Sequence, residues 1–169
     1  MVHCLRQIAV IHMPTPSSTS PPADTISVVL VDDSEDLLFL VRGALERSGK
    51  FRIVAEAADG EQGVAAVGAF RPDLVLLDIA MPVMDGLQAL PLIREACPTS
   101  IVVMLSAFGD ASGMPQRAMD MGANGYIHKD GRIQALPEQL LVIVRGVTAE
   151  RAARAARGSA ELTTPESTL

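Results

Sequence analysis

The chain has 169 residues, only two cysteines (Cys4 and Cys97) and no tryptophan. Two thiols cannot build a disulfide framework, and no Cys/His spacing resembles a zinc site. Basic residues are short as well: 14 Lys and Arg stand against 20 Asp and Glu, a formal net charge of −6. That excludes a general nucleic-acid surface. Long apolar runs are missing too. The longest stretch of the apolar part without Asp, Glu, Lys or Arg, Ala96 to Gly109, is shorter than the roughly 18–20 residues a bilayer requires, and Pro98 and Gly109 interrupt it. The start, MVHCLRQIAVIHM, is broken by Arg6, Gln7 and His12, and no small-residue cleavage site follows. It does not read as a signal peptide, and the expectation is a cytoplasmic protein without membrane contact.

Core material, by contrast, is plentiful. Apolar residues make up 49% and charged residues 20%, which excludes a wholly disordered chain. Residues 14–24, PTPSSTSPPAD, have nothing to bury and read as a linker, so residues 1–25 are expected to be a disordered extension. Met13 offers an alternative translation start; a peptide from residues 1–12 in the native protein would exclude it. From Ile26 the pattern changes. Four runs are apolar and β-branched: ISVVLV (26–31), FRIVAEA (51–57), DLVLLD (73–78) and SIVVMLS (100–106); NGYIHK (124–129) is a fifth candidate. Runs of this kind without alternation suit strands buried on both faces of a parallel sheet. Helical patterns lie between them. Residues 34–48 end at Gly49 as a C′ stop, Asp59 with Gln62 marks the start of 60–69, and 86–96 and 132–147 follow. The alternation predicts a doubly wound α/β domain with five parallel strands over 26–147. Residues 148–169 read as an Arg/Ala-rich tail, partly helical or disordered. Arg151, Arg154 and Arg157 form a basic stripe there, read as a solvated helix face.

In an open parallel sheet, ligands bind beyond the carboxyl ends of the strands. The first strand ends in Asp32-Asp33, the third in Asp78, the fourth in Ser106 and the fifth in Lys129. Taken singly, all but Asp78, which is harder to dismiss as a cap, have an ordinary explanation. Asp32 and Asp33 fit helix caps, Ser106 is uninformative, and Lys129 fits a solvated lysine. Their joint placement on one rim is what points to chemistry. Three carboxylates held together call for a cation. With oxygen donors and no His or Cys, that cation is hard: Mg²⁺, or Mn²⁺ in its place. An ammonium and a small hydroxyl beside it suit a phosphoryl group, with one carboxylate as its acceptor. Only two of the 14 basic residues are lysines, Lys50 and Lys129, and one of them sits at this rim.

At this point the sequence resembles the receiver domain of two-component response regulators. The residues that carry the resemblance are VVLVDDSED (28–36), LVLLDIAMPVMDG (74–86), VVMLSA (102–107) and GANGYIHKD (122–130). The resemblance implies a flavodoxin-like fold with strand order 2-1-3-4-5. It implies that Asp78 is the phosphoacceptor for a histidine kinase or histidine phosphotransfer protein. Asp33 would hold Mg²⁺ directly, Asp32 through water, and the Ala80 carbonyl would complete the set. Lys129 and Ser106 would bind the phosphoryl oxygens. Ser106 and Tyr126, the one tyrosine of the chain, would form a switch that changes the face of helix 4, strand 5 and helix 5 for a downstream protein, with dimerisation a possible result. The protein would then be a signalling switch and not an enzyme, catalysing only its own phosphorylation and dephosphorylation.

The sequence departs from the family in several places. Asp130 replaces the frequent Pro after the Lys. Pro91 is expected to kink helix 3, and Gly109, Gly113 and Pro115 to make helix 4 late and short. Ala80 and Phe108, two past Asp78 and Ser106, carry no group to place a water, which predicts a phosphorylated state that is not unusually short-lived; a half-life of a few seconds would count against it. Only about twenty residues follow Val147, too few for a helix-turn-helix, so the expectation is a stand-alone receiver or a shortened DNA-binding regulator, with no direct nucleic-acid contact. An Asp-nucleophile phosphatase would want D-x-D after strand 1, where this chain has D-D-S. A flavodoxin would want a Ser/Thr/Gly-rich loop where VDDSED is acidic.

Overall fold

A computed structural model describes residues 25–107, 113–130 and 132–161, with side chains as far as 157. The linker, Cys4, Phe108 and Gly109 lie outside the described residues. Five strands form one parallel sheet in the order β2-β1-β3-β4-β5: β1 Ile26–Val31, β2 Phe51–Ala57, β3 Leu74–Asp78, β4 Ile101–Ser106 and β5 Gly125–His128. This is the doubly wound fold that the alternation of apolar runs and helical patterns predicted. Every residue of β3 and β4 is buried. That burial explains their unbroken apolar composition: helices cover both faces, so neither face needs polar residues.

The helices begin and end where short polar residues and glycines dictate. Helix α1, Glu35–Arg47, is capped by the Ser34 side chain, which accepts from the Leu37 amide, and Gly49 follows its end at φ 67°. The cap is therefore Ser34, which leaves Asp32 and Asp33 for other work. Asp59 caps α2, Gly60–Phe70, and Asp85 with Gln88 forms a capping box on α3, Gly86–Ala96. Helix α3 runs through Pro91 without a break. Helix α4, Met114–Asp120, has only seven residues and opens on Gly113 at φ 71° with Pro115 in its first turn, the late start its composition predicted. A 3₁₀ turn, Ile133–Ala135, leads into α5, Leu136–Glu161. At 26 residues α5 is about 39 Å long. Its residues 148–157 are exposed.

Side chains alternate across the sheet and sort into two cores. Val29, Val31, Val75, Leu77, Val102 and Met104 pack with α2 and α3 residues on one face. Val28, Leu30, Leu74, Leu76, Val103 and Leu105 pack with Val41 and Leu45 of α1 and Leu140 of α5 on the other. This parity decides which side chains can meet at the carboxyl rim.

Candidate functional site

Asp32 follows Leu30 by two residues, Asp78 follows Leu76 by two, and Lys129 follows Ile127 by two. All three anchors belong to the α1/α5 core. The alternation therefore sends the three polar side chains to one side of the rim, and the structure brings them into contact. Lys129 Nζ lies 2.6 Å from Asp32 Oδ2 and 2.9 Å from Asp78 Oδ1. Asp33, in the exposed turn after β1, completes the group: one carboxylate oxygen from each of Asp32, Asp33 and Asp78 falls within 4.8 Å of the others. Asp32 and Asp78 are buried, at 3% and 4% exposure. Asp33 meets no cation among the described residues.

Backbone donors fix the two buried carboxylates. The Ser34 amide donates to Asp32 Oδ1 at 3.0 Å, and the Ile79 amide donates to Asp78 Oδ1 at 2.7 Å. Burial pushes the Asp78 carboxyl above its ordinary value, more than Lys129 pulls it down. Burial would likewise push the Lys129 ammonium down, but the hydrogen bonds to Asp32 and Asp78 outweigh it and hold that group above its ordinary value. One ammonium against three carboxylates leaves an excess of negative charge. The donor set is all oxygen, and Asp33 is free to ligate, so the residues present fit a hard divalent cation.

Ser106 and Tyr126 belong to the other face of the sheet. Ser106 follows Met104 by two residues and is fully buried, and Tyr126 pairs with Met104 in register. Tyr126 is half-buried against the α2/α3 core. The structure thus sets Asp32, Asp78 and Lys129 on one pleat face and Ser106 with Tyr126 on the other, along adjacent strands. Ala80 is exposed just beyond β3. Asp130 is held by Arg132, whose Nε donates to its carboxylate at 2.7 Å.

The sequence marks Asp85-Gly86 as a turn at the rim but does not show how closely two glycines let the β3–α3 loop approach the site. A Cβ on Gly86 would land on the Asp78 carbonyl oxygen, 2.9 Å from the carbonyl carbon and 3.0 Å from Ile79 Cα. Only glycine lets α3 start this close to Asp78, and the Gly86 amide donates to the Ile79 carbonyl at 2.9 Å. On the other side the Gly60 amide donates to the Met84 carbonyl at 3.0 Å, and a Cβ there would stand 2.7 Å from that oxygen. Between these two anchors Val83 is forced to φ 65°. The Asp85-Gly86 pair was the signal for the first of these; nothing in the sequence marks the strain at Val83.

A five-stranded 2-1-3-4-5 sheet with this acidic group and lysine at its carboxyl rim is a receiver-type fold. Comparison with known proteins agrees. The profile of the response regulator receiver domain matches residues 28–141. The chain is 42% identical over 113 residues to protein-glutamate methylesterase/protein-glutamine glutaminase 1 of Paramagnetospirillum magneticum, covering 66% of this chain and 30% of that one. The response regulator domain of Thermotoga maritima CheB superposes with a TM-score of 0.66 at 26% identity, covering 72% of this chain and 95% of that one. A chain of the Borrelia burgdorferi CheX–CheY–BeF₃–Mg²⁺ complex gives 0.64 at 30% identity, covering 76% and 98%. The protein belongs to the response regulator receiver domain family and is a receiver domain of a two-component system.

One expectation is corrected by these findings. The sequence reading expected a signalling switch and not an enzyme, whereas the curated relatives are named as enzymes, methylesterases and glutaminases. The chain spans about 30% of the length of the first of these relatives, and the match is to the receiver region. The physical reason for the error is plain: a receiver's residues carry no trace of the catalytic chemistry of the proteins that contain it.

Proposed function

We propose that this chain accepts a phosphoryl group on Asp78 from a histidine kinase or histidine phosphotransfer protein, and that the modified rim switches a protein-interaction surface. The observation that carries the reading is the convergence of Asp32, Asp33 and Lys129 on Asp78, the buried carboxylate that closes β3. In the transfer, an Asp78 oxygen forms a bond to phosphorus as the bond from phosphorus to the donor's histidine nitrogen breaks. The imidazole leaves as the neutral base. Lys129, already 2.9 Å from Asp78, neutralises charge on the phosphoryl oxygens, and the Ser106 hydroxyl, at the end of the neighbouring strand, moves toward them to donate to one. Asp32, Asp33, Asp78 and the Ala80 carbonyl would hold Mg²⁺, which supplies charge neutralisation for the incoming phosphoryl group.

The phosphoryl group adds charge at a rim whose two pleat faces carry different residues. Asp32, Asp78 and Lys129 receive it on the α1/α5 face, and Ser106 with Tyr126 relays the change on the other. A kinase and a downstream protein are the partners this implies, and a phosphorylation-dependent dimer is a further possible output. The proposed architecture is a receiver over 26–147 between an N-terminal linker and an Arg/Ala-rich segment. The test is incubation with Mg²⁺ and acetyl phosphate, wild type against Asp78→Asn. Wild type should gain one acid-labile phosphoryl group and the variant none. No label on wild type, or equal label on both, would defeat the reading. Gel filtration with and without phosphorylation reports on the dimer.

A further inference from the structure

The stripe Arg151, Arg154, Arg157 is the one basic motif of the chain that the phosphoryl chemistry leaves unused. On α5, Leu140, Ile143 and Val147 face the sheet. Arg151 lies four residues past Val147, and Arg154 three further. At 3.6 residues per turn they continue the line of that stripe past the end of the sheet, where both residues are exposed.

There Arg151 meets a second guanidinium group, that of Arg94. Arg151 Nη1 donates to the Thr99 carbonyl at 2.5 Å and Nη2 approaches the Ser100 carbonyl at 3.5 Å. Arg94 of α3 donates Nη1 to the same Ser100 carbonyl at 2.6 Å, Nε to the Gly122 carbonyl at 2.8 Å, and Nη2 to Asn124 Oδ1. Arg71, at the end of α2, donates to the Ala96 carbonyl at 3.4 Å. Three helices thus bring arginines onto the turn from Ala96 to Ser100, at the amino ends of the strands and the opposite rim from Asp78. None of them meets a carboxylate: the ion pairs among the described residues are Arg42–Glu56, Lys129 with Asp32 and Asp78, and Arg132–Asp130. Two guanidinium groups sharing one carbonyl oxygen repel each other. Burial, and after it the Arg151 charge, push the Arg94 guanidinium below its ordinary value.

Arg94 is used up as a fold element, with three donors on three acceptors. Arg71 and Arg151 keep unused N–H groups, and Arg154 makes no hydrogen bond or ion pair among the described residues. Guanidinium forks match oxyanions, and more than one uncompensated positive charge calls for a doubly charged anion over a carboxylate. We propose that Arg71, Arg151 and Arg154, with the exposed Thr99 hydroxyl, form a binding site for a phosphate-class oxyanion, free or carried on a monoester. The site is independent of the phosphoryl chemistry at Asp78.

The test is a ¹H–¹⁵N NMR titration of the full chain with inorganic phosphate or with AMP, without Mg²⁺, at ionic strength held constant by chloride. The expected result is saturable shifts confined to the amides of Thr99 and Ser100 and the arginine Nε groups. Arg154→Gln should weaken binding by about tenfold, the loss of one charge-assisted contact, and Arg151→Gln by at least as much. Both variants should still label on Asp78. Arg154 holds nothing in the fold, so its variant stays informative even if Arg151→Gln unfolds. Equal affinity for phosphate and AMP identifies the bare anion as ligand, and tighter AMP binding a monoester. Shifts that stay linear to about 50 mM, or binding unchanged in Arg154→Gln, overturn the proposal.

Discussion

Gly86→Ala is the substitution whose effect follows most directly from the geometry. The added methyl would land on the main-chain carbonyl of Asp78, and a main chain cannot rotate away as a side chain can. Helix α3 must back off from β3. Overpacking of this kind costs about 1–3 kcal/mol. The shift also breaks the hydrogen bond from the Gly86 amide to the Ile79 carbonyl, worth about 1 kcal/mol. The sum, about 2–4 kcal/mol, is a large share of the roughly 5–15 kcal/mol that holds a domain folded. At this size 1 kcal/mol corresponds to about 4 °C, so calorimetry should show Tm lower by roughly 8–16 °C. Phosphorylation by acetyl phosphate should slow by more than stability accounts for, because the shift displaces Asp78 itself; a displacement near 1 Å costs on the order of 100-fold. Gly68→Ala is the matched control. Gly68 lies within α2 with open space where a Cβ would go, so alanine should stabilise by about 0.5–1 kcal/mol. A Gly86→Ala protein within about 3 °C of wild type and labelled at the normal rate would refute the reasoning, as would a fall in Tm for Gly68→Ala equal to that of Gly86→Ala.

Other perturbations test other parts of the site. Without metal, burial raises the Asp78 carboxyl above its ordinary value, so its contribution to stability is full below the ordinary carboxylate range and lost as pH rises through the folded value. Asp78→Asn, which cannot ionise, should therefore be more stable than wild type in EDTA at pH 7, and urea midpoints should converge as the pH is lowered. Lys129 runs in the same direction at the alkaline end, since its folded value is raised by Asp32 and Asp78: its contribution is full at neutral pH and lost as pH climbs through that raised value. Lys129→Met should lower the urea midpoint at pH 7, and an unchanged midpoint would mean that the two contacts contribute nothing to stability. Val83 holds a β-branched side chain at φ 65° while being 79% exposed, so Val83→Gly should raise stability by about 1 kcal/mol, read from the same urea curves.

The sheet and the rim were legible because both depend on local sequence. Unbroken runs such as LVLLD can be buried on two faces only inside a parallel sheet, and once they are strands their last residues share an edge. Asp32, Asp33, Asp78 and Lys129 could be placed on that edge by their position after each run. What could not be read is what depends on tertiary approach. Nothing near Gly86 says that a carbonyl from another element fills the space of its missing Cβ. Nothing in the spacing of the arginines shows that Arg151 reaches back to the Ala96–Ser100 turn, because the helix phase was fixed only by Leu140 and Val147 upstream. The division of Ser106 and Tyr126 from the Asp78 face needed the strand register, which the sequence carries only as parity.

The parallel register also sets which lengths of chain can change. The four polar positions, 32, 78, 106 and 129, hang directly on the last residues of β1, β3, β4 and β5, with no loop between strand and function to absorb an error. Removing one residue inside Ile101–Ser106 would draw Ser106 back by about 3.3 Å and turn it to the α1/α5 face, while leaving an apolar strand that still fills the core. Such a protein would lose its relay even where the apolar strand still found a place in the core. A change of length inside a strand costs the site directly, whereas one in an exposed connection outside the strands leaves these four positions in place. The sheet therefore acts as a ruler for its own chemistry.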